Sequence, residues 1–290
     1  MCHISCYLVL DISHYHDTFT SVRAHDFNMA SGLSLDRVSG LFSTHRTAAI
    51  STLGIAVAIP FAINDYRTYL SYGPGGLPYN ITGWLITSIL RVFSREQLST
   101  SIYDDKKLSF TDEPGLLPTN FLSQRSSCRP RIGPHPVPQR QLEQLPSEEI
   151  RQKLIASFEQ LGHQAQVKGL IEVRQSLFER QHSALFVSKT REWHSLAQQT
   201  RGEISHIHAG LDGSIHVVLH PTDCRRVIES GWGQRHGLDG VTVLKKIAGF
   251  SLPVNYVLIY APRDEAEIEV AMMIVKASVG FMTGAREASE

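Results

Sequence analysis

Residues 202–221 read GEISHIHAGLDGSIHVVLHP, and the fold of the C-terminal half follows from them. Two runs of alternating polar and apolar residues flank a centre rich in Gly and Asp, the pattern of a β-hairpin. Alternate residues of a strand share a face. Ile204, His206 and His208 therefore point one way in the first strand, and His216, Val218 and His220 share a face in the second. A two-residue turn at Asp212-Gly213 sets His208 opposite Val217 and turns His216 away. A three-residue loop, Leu211-Asp212-Gly213, opposes His208 to His216 and gives Gly213 the left-handed conformation that such loops favour. We take the three-residue loop. The other face then carries Ile207, Ile215, Val217 and Leu219, which suits burial beneath a helix.

Four of the chain's 14 histidines lie in this stretch. Three or four imidazoles gathered on one face can act as general bases, because imidazole titrates near neutral pH. An HxH pair with a third His can equally bind zinc, iron or copper. A partly solvated face of hydrogen-bonded histidines is the plain alternative. Two neighbouring segments add to the functional reading. GWGQRHGLDG, residues 231–240, brings together Trp232, Arg235 and His236 between glycines that permit close backbone approach. Trp232 can stack on a flat ligand. YAPR, residues 260–263, ends a strand just before a capped helix, so Arg263 sits where helix N–H groups favour anions. The structural alternative for Arg263 is a salt bridge to Asp264 or Glu267.

Outward from the hairpin, strand-like runs occur near residues 169–173, 184–187 and 254–260. Ser147 caps a helix through Leu161, with Ile150, Leu154, Phe158 and Leu161 as its apolar stripe and Gly162 where a helix stops. A short helix covers residues 223–229. Asp264 and Glu267 form a capping box for the last helix. Ile268, Ala271, Met272, Val275 and Val279 line one face of that helix, and Gly284 ends it. The expected class is α+β: an antiparallel sheet packed by a long C-terminal helix, with an N-terminal membrane-anchor helix.

The anchor is TAAISTLGIAVAIPFAI, residues 47–63, which contains no charge. At 1.5 Å per residue it spans about 25 Å, near the thickness of a hydrocarbon core. A signal sequence or a buried core helix competes with that reading. ITGWLITSILRVF, residues 81–93, is too short to span and reads as an interfacial or packed helix. Residues 129–146, RPRIGPHPVPQRQLEQLP, have the composition of an extended linker. Lys+Arg and Asp+Glu balance at 28 each, so no strong field favours nucleic acid or another polyanion. Cys2, Cys6, Cys128 and Cys224 form no CxxC pair or metal-ligand spacing, which reads as reduced thiols; Cys224 is not expected to be a nucleophile.

The order GEISHIH, SIHVVLH, GWGQRH, YVLIYAPRDEAEIEV and IVKASVGFMTG resembles the fungal luciferase family, which includes relatives from non-luminous fungi. DYRTYLSYGPGGLPYNITGWLI, SREQLSTSIYDDK and RPRIGPHPVPQRQ are similar to that family's N-terminal parts, so the proline-rich stretch is expected to be an ordered loop. The likeness spans residues 29–284. It implies an intracellular enzyme held by a single membrane span, a monooxygenase-type oxidoreductase that oxidises the styryl-pyrone 3-hydroxyhispidin with O2. The product is an excited oxyluciferin, reached through an endoperoxide that loses CO2. No organic cofactor is implied, and O2 is the co-substrate. In that frame His206, His208, His216 and His236 are candidate bases. Arg235 or Arg263 stabilises the enolate, and Trp232 and Tyr260 wall an apolar slot. A divalent metal on His206, His208 and His216, or a non-catalytic membrane-tethered binder of aromatic metabolites, are the alternatives. The expected organisation is a poorly ordered segment 1–46, an anchor 47–63, a juxtamembrane or interfacial helical region 64–128, a luciferase-like α+β domain 129–284 and a tail 285–290. The expected partners are the pyrone or phenolic substrate and membrane lipid.

Overall fold

The computed structural model describes residues 40, 46–105, 108, 110, 113–119, 121–242, 245 and 251–286. The expected poorly ordered segment 1–46 lies outside them, apart from Gly40 and Arg46. By internal contacts the chain divides into residues 1–64 and residues 65–290. Apart from Gly40, the described part of the first unit belongs to helix α1 (Arg46–Ser71), which runs about two turns beyond the charge-free segment. Ile50, Leu53, Ile55, Val57, Ile59, Phe61 and Ile63 are all exposed on it. Among the described residues it is the one helix long and apolar enough to cross a membrane.

The second unit is α+β. Six strands form one sheet in the order β1-β2-β3-β4-β6-β5, with every neighbouring pair antiparallel. They are β1 (Ile171–Gln175), β2 (Ser183–Val187), β3 (Glu203–Ile207), β4 (Ile215–Val218), β5 (Gly233–Arg235) and β6 (Tyr256–Ile259). Among the described residues, the helices that lie wholly within this unit include α2 (Ile81–Arg91), α3 (Glu148–Val167), α4 (Ser195–Gln199), α5 (Pro221–Glu229) and α6 (Glu265–Thr283). Helix α6 packs across β2, β3 and β4 and against α3. Its Asp264 cap accepts from the Glu267 N–H, and Gly284 ends it with φ 68°. Residues 65–128 belong to the same unit as the sheet; beyond α2 they contribute a 3-10 turn, Ser101–Asp104.

Register assigns the two faces. One row across the sheet is Ala184, His206, His216, Leu258 and Gln234. The adjacent row is Leu185, Ser205, Val217, Val257 and Arg235, on the other face. The apolar members of that second face join the core with Ile274 and Val275 of α6. Ser278 of α6 donates to the Val218 carbonyl at 2.7 Å, which ties the helix to β4.

Helix α2 starts at Asn80, whose side chain accepts from the N–H groups of Thr82 and Gly83. Trp84 and Arg91 both reach back to the Asp65 carboxylate, at 2.7 and 3.0 Å. Ile81, Leu85, Ile89 and Val92 stay exposed, so one face of α2 is apolar and open.

Two expectations change here. Composition alone makes residues 129–146 a free linker, yet His135, Gln139, Arg140 and Gln141 are buried and Ile132 pairs with Gln141. The polar side chains of this segment hydrogen-bond to loops that cover the sheet, so it is an ordered strap. Gly162 does not end α3. It lies inside the helix facing the sheet, where a Cβ would come within 2.9 Å of Leu185 Cδ2. The terminator is Gly169, at φ +69°. Gly169→Ala should therefore cost about 1 kcal/mol, the penalty for an L side chain in left-handed backbone. Gly162→Ala should stay near neutral in chemical denaturation, since its helix-propensity gain of about 1 kcal/mol opposes the crowding. The reverse ranking would place the helix stop at Gly162.

Candidate active site

The hairpin keeps its expected faces but shifts its register by two residues. His206, not His208, opposes His216. The His208 N–H donates to the Ser214 carbonyl at 2.9 Å and Gly213 N–H returns to His208, so the loop is residues 209–213. Asp212 explains the longer loop. Its Oδ1 accepts from the Ser214 N–H and hydroxyl at 2.9 and 2.8 Å, and its Oδ2 accepts from the Gln141 N–H at 2.7 Å. A buried carboxylate with this many donors dictates the turn around it.

His206, His208 and His216 converge. Their ring centroids are 5.4, 5.1 and 5.1 Å apart. One ligand atom from each lies within 4.8 Å of the others, and all three residues are buried. His206 Nδ1 bonds to Glu203 Oε1 at 2.7 Å. Glu203 also accepts from Ser176 Oγ and the Leu177 N–H, which fixes it to the β1–β2 loop. His208 Nδ1 donates to Ser214 Oγ at 2.9 Å and to Asp212 Oδ1 at 3.2 Å. Each of these rings therefore carries its proton on Nδ1 and leaves Nε2 as a lone pair. His216 lies nearly flat on Tyr256, centroids 4.8 Å apart and planes at 17°.

The fourth imidazole of the group is His236, 5.6 Å from His216. Its Nδ1 accepts from the Leu238 N–H at 3.0 Å. His220, expected on the same face, leaves the group because β4 ends at Val218 and strand alternation ends with it. It caps α5 instead, accepting from the Thr222 N–H, and meets Phe281 edge-on.

A cavity of about 450 Å³ opens over these rings. The sheet contributes the histidines and Tyr256; the proline-rich strap contributes Val137, Pro138, Gln139 and Arg140. Ile89, Leu90 and Phe93 of the α2 region and Phe178 and Glu179 of the β1–β2 loop complete much of the wall. Arg140 is buried, with Nε bonded to the Tyr72 carbonyl and Nη2 to the Pro74 carbonyl, and it pairs with Glu179 at 3.6 Å.

Burial first, then the Arg140 charge, pushes the His208 ring down to about 3. Burial, then the neighbouring His206 ring, takes His236 to about 3. His216 is held well below the ordinary imidazole range by burial, the neighbouring imidazoles and Arg140. Burial opposes ionisation of Asp212, but His208, the hydrogen bond to it and Arg140 bring the carboxyl down to about 2.

Four expected site residues lie elsewhere. Arg235 falls in the row facing α6 and is locked to Asp239 by two bonds of 2.7 Å. Trp232 donates to the Ser123 carbonyl, and Tyr260 donates to Gln234. Arg125 covers both rings, 5.9 and 5.6 Å from their centroids, so neither is a free stacking surface. Arg263 is paired with Glu267 and bonded to Ser126 and Ser127, the structural alternative for it. Tyr256 and Arg140 occupy the wall and cation positions expected of those four. Sequence reading passed over Glu203, Asp212, Arg140 and Tyr256, although the first two lie three residues before His206 and four after His208 in the quoted hairpin. Cys224 is buried and its thiol is pushed well up by burial, consistent with an inert core residue.

The Luciferase domain family matches residues 201–278, which contain the hairpin, β5, β6 and most of α6. The chain is 33% identical over 277 residues to a luciferase of Armillaria mellea, covering 87% of this chain and 94% of the relative. A luciferase of Neonothopanus nambi is 32% identical over 270 residues, covering 88% and 94%. The chain belongs to the fungal luciferase family. No solved structure matches it.

The depressed histidines link the site to stability. An unfolded chain protonates imidazole below about pH 6.5. His208, His216 and His236 resist protonation when folded, so the unfolded state binds more protons and stability falls as pH drops through 6.5 towards 3. Three such groups give a slope of up to about 4 kcal/mol per pH unit, at about 1.4 each. Denaturant titrations in detergent between pH 7.5 and 5 should show it, and His236→Gln should remove about one third of the slope. A flat profile would mean that these rings protonate within the folded protein.

Proposed function

We propose that this protein is a luciferase-type oxygenase that oxidises a hydroxy-pyrone or related phenolic of the 3-hydroxyhispidin type with O2, in the cavity over His206, His208 and His216. The observation that carries the reading is the convergence of three carboxylate-oriented or stacked imidazoles on the floor of an apolar chamber. About 450 Å³ lies within the range of small-molecule sites. Phe93, Phe178 and Tyr256 offer flat or edge contacts to a planar ring system.

The chemistry asks for three things. The pyrone hydroxyl must lose its proton, and the imidazole face supplies the acceptors, oriented by Glu203 and Asp212. The negative charge that develops must be compensated, and Arg140 is the buried cation of the wall. The electron-rich enolate then meets O2 where water is excluded, and the endoperoxide it forms loses CO2. Residues 47–63 would hold the enzyme at a membrane, from which an apolar styryl-pyrone is readily drawn.

Incubation of the purified chain with 3-hydroxyhispidin in air tests this, with photon counting for emission and loss of pyrone absorbance for oxidation. His206→Ala and His208→Ala should each lower turnover at least about 100-fold, the scale of removing an acid–base or electrostatic group. Far-UV circular dichroism should be unchanged. Arg263→Gln and Trp232→Phe, away from the cavity, should keep kcat within about threefold. Full turnover in both histidine variants ends the reading, and binding of pyrone without turnover replaces it with a binder of aromatic metabolites. A chain beginning at Asp65 should leave the membrane fraction; continued sedimentation with membranes would move the anchor out of residues 47–63.

A further inference from the structure

We infer that His206, His208 and His216 are the ligands of one divalent first-row transition-metal ion, of the iron-to-zinc group that favours imidazole nitrogen. The inference rests on the reading of this cavity as the reaction chamber but changes the role of the rings: ligated nitrogens no longer accept the hydroxyl proton, and the ion instead acidifies the bound pyrone hydroxyl so that its proton passes to water.

Geometry comes first. One nitrogen or other ligand atom per residue lies within 4.8 Å of the other two. Imidazole nitrogens about 2.0–2.1 Å from a tetrahedral ion are roughly 3.4 Å apart, so side-chain shifts of about an ångström close the site. The three rings come from one sheet face. His206 and His216 are cross-strand partners and His208 follows two residues along, an arrangement a hairpin holds rigidly.

The second observation is what stands behind the rings. Metal-bound histidines characteristically donate their far N–H to a carboxylate, which fixes the tautomer and strengthens the ligand. His206 has Glu203 at 2.7 Å, and His208 has Asp212 and Ser214 at 3.2 and 2.9 Å. Both carboxylates are themselves held by further donors. Two independent His–carboxylate pairs within one cluster of three imidazoles exceed what strand packing requires.

The third observation is a polar atom without a partner. His216 Nδ1 is buried and makes no hydrogen bond among the described residues. An orphaned buried nitrogen costs about 1–3 kcal/mol. A nearby cation, with His216 as its third ligand, gives the ring the polar partner that the protein does not provide. His236, in contrast, has its Nδ1 taken by the Leu238 N–H and lies outside the group of three, so it is not among the ligands. Three protein ligands leave at least one coordination position open to the cavity, where the deprotonated oxygen of a hydroxy-pyrone can bind.

The test uses the full-length chain in detergent, purified through a tag without histidine. Elemental analysis should find about one transition-metal ion per chain. After stripping with a chelator, titration with Co2+ alone should produce visible d–d absorption that saturates at one equivalent and should raise the melting temperature. His206→Gln, His208→Gln and His216→Gln should each weaken Co2+ binding at least about 100-fold, and Glu203→Gln about 10- to 100-fold. His236→Gln should retain binding. Should the ligand variants misfold, the Co2+ spectrum and melting shift of the wild-type chain still decide the matter. No metal on isolation together with no Co2+ spectrum overturns the inference, even with pyrone turnover intact. A bound ion with no turnover of any pyrone leaves the inference standing and removes the proposed function instead.

Discussion

The pairing of His206 with His216 across β3 and β4 is the constraint on which the rest of this protein depends. Strand geometry is binary: a residue belongs to one face or the other, and a slip of one position exchanges them all. From Ser205 to Ile207 in β3 and from Ile215 to Val217 in β4 the alternation sends the even-numbered histidines to the cavity side and the odd residues to α6, while the bulge opposite Leu185 and Phe186 brings Glu203 back to the histidine face. Asp212 holds the register by gathering the loop, the strap and His208 around one carboxylate. The same group thus sets the hairpin and orients a site residue, so structure and site cannot be altered separately there.

From this follows the division of labour between the sheet's faces. On the odd side, Val217, Val257 and Leu185 join the apolar core with α6, and Arg235 is neutralised by Asp239 at its margin. On the even side, small Ala184 and the imidazoles leave room that no helix fills. The roof is built from parts distant in sequence: the strap, the β1–β2 loop and α2. Glu203 and Glu179 link that loop to His206 and to Arg140, so roof and floor are joined through buried polar contacts. Buried polar networks of this kind hold one arrangement firmly when fully satisfied.

How the cluster treats charge follows from the same architecture. The cavity wall carries a buried guanidinium, and the rings are removed from water. Such a place disfavours imidazolium and favours neutral rings that present lone pairs. A substrate anion would meet Arg140, whereas the Tyr256 ring and the apolar residues of α2 suit the body of a planar molecule.

The hairpin, the shared face of His206, His208 and His216, the capped C-terminal helix with its Gly284 stop, and the apolar N-terminal helix were all legible in the sequence. Period-2 alternation, a capping residue and a glycine are local signals, and each was present in a window of a few residues. Family membership was legible too, because motif order survives as text. Tertiary structure alone decided which cation and which aromatic ring reach the cavity. Arg235 and Arg140 look alike in the sequence, but cross-strand register sends one towards α6 while the folded strap brings the other over the sheet. It also decided that Gly162 admits a strand side chain instead of ending a helix, and that His220 caps α5 instead of joining the cluster. These outcomes depend on partners separated by many residues along the chain, and no local pattern records which distant surface a side chain will meet.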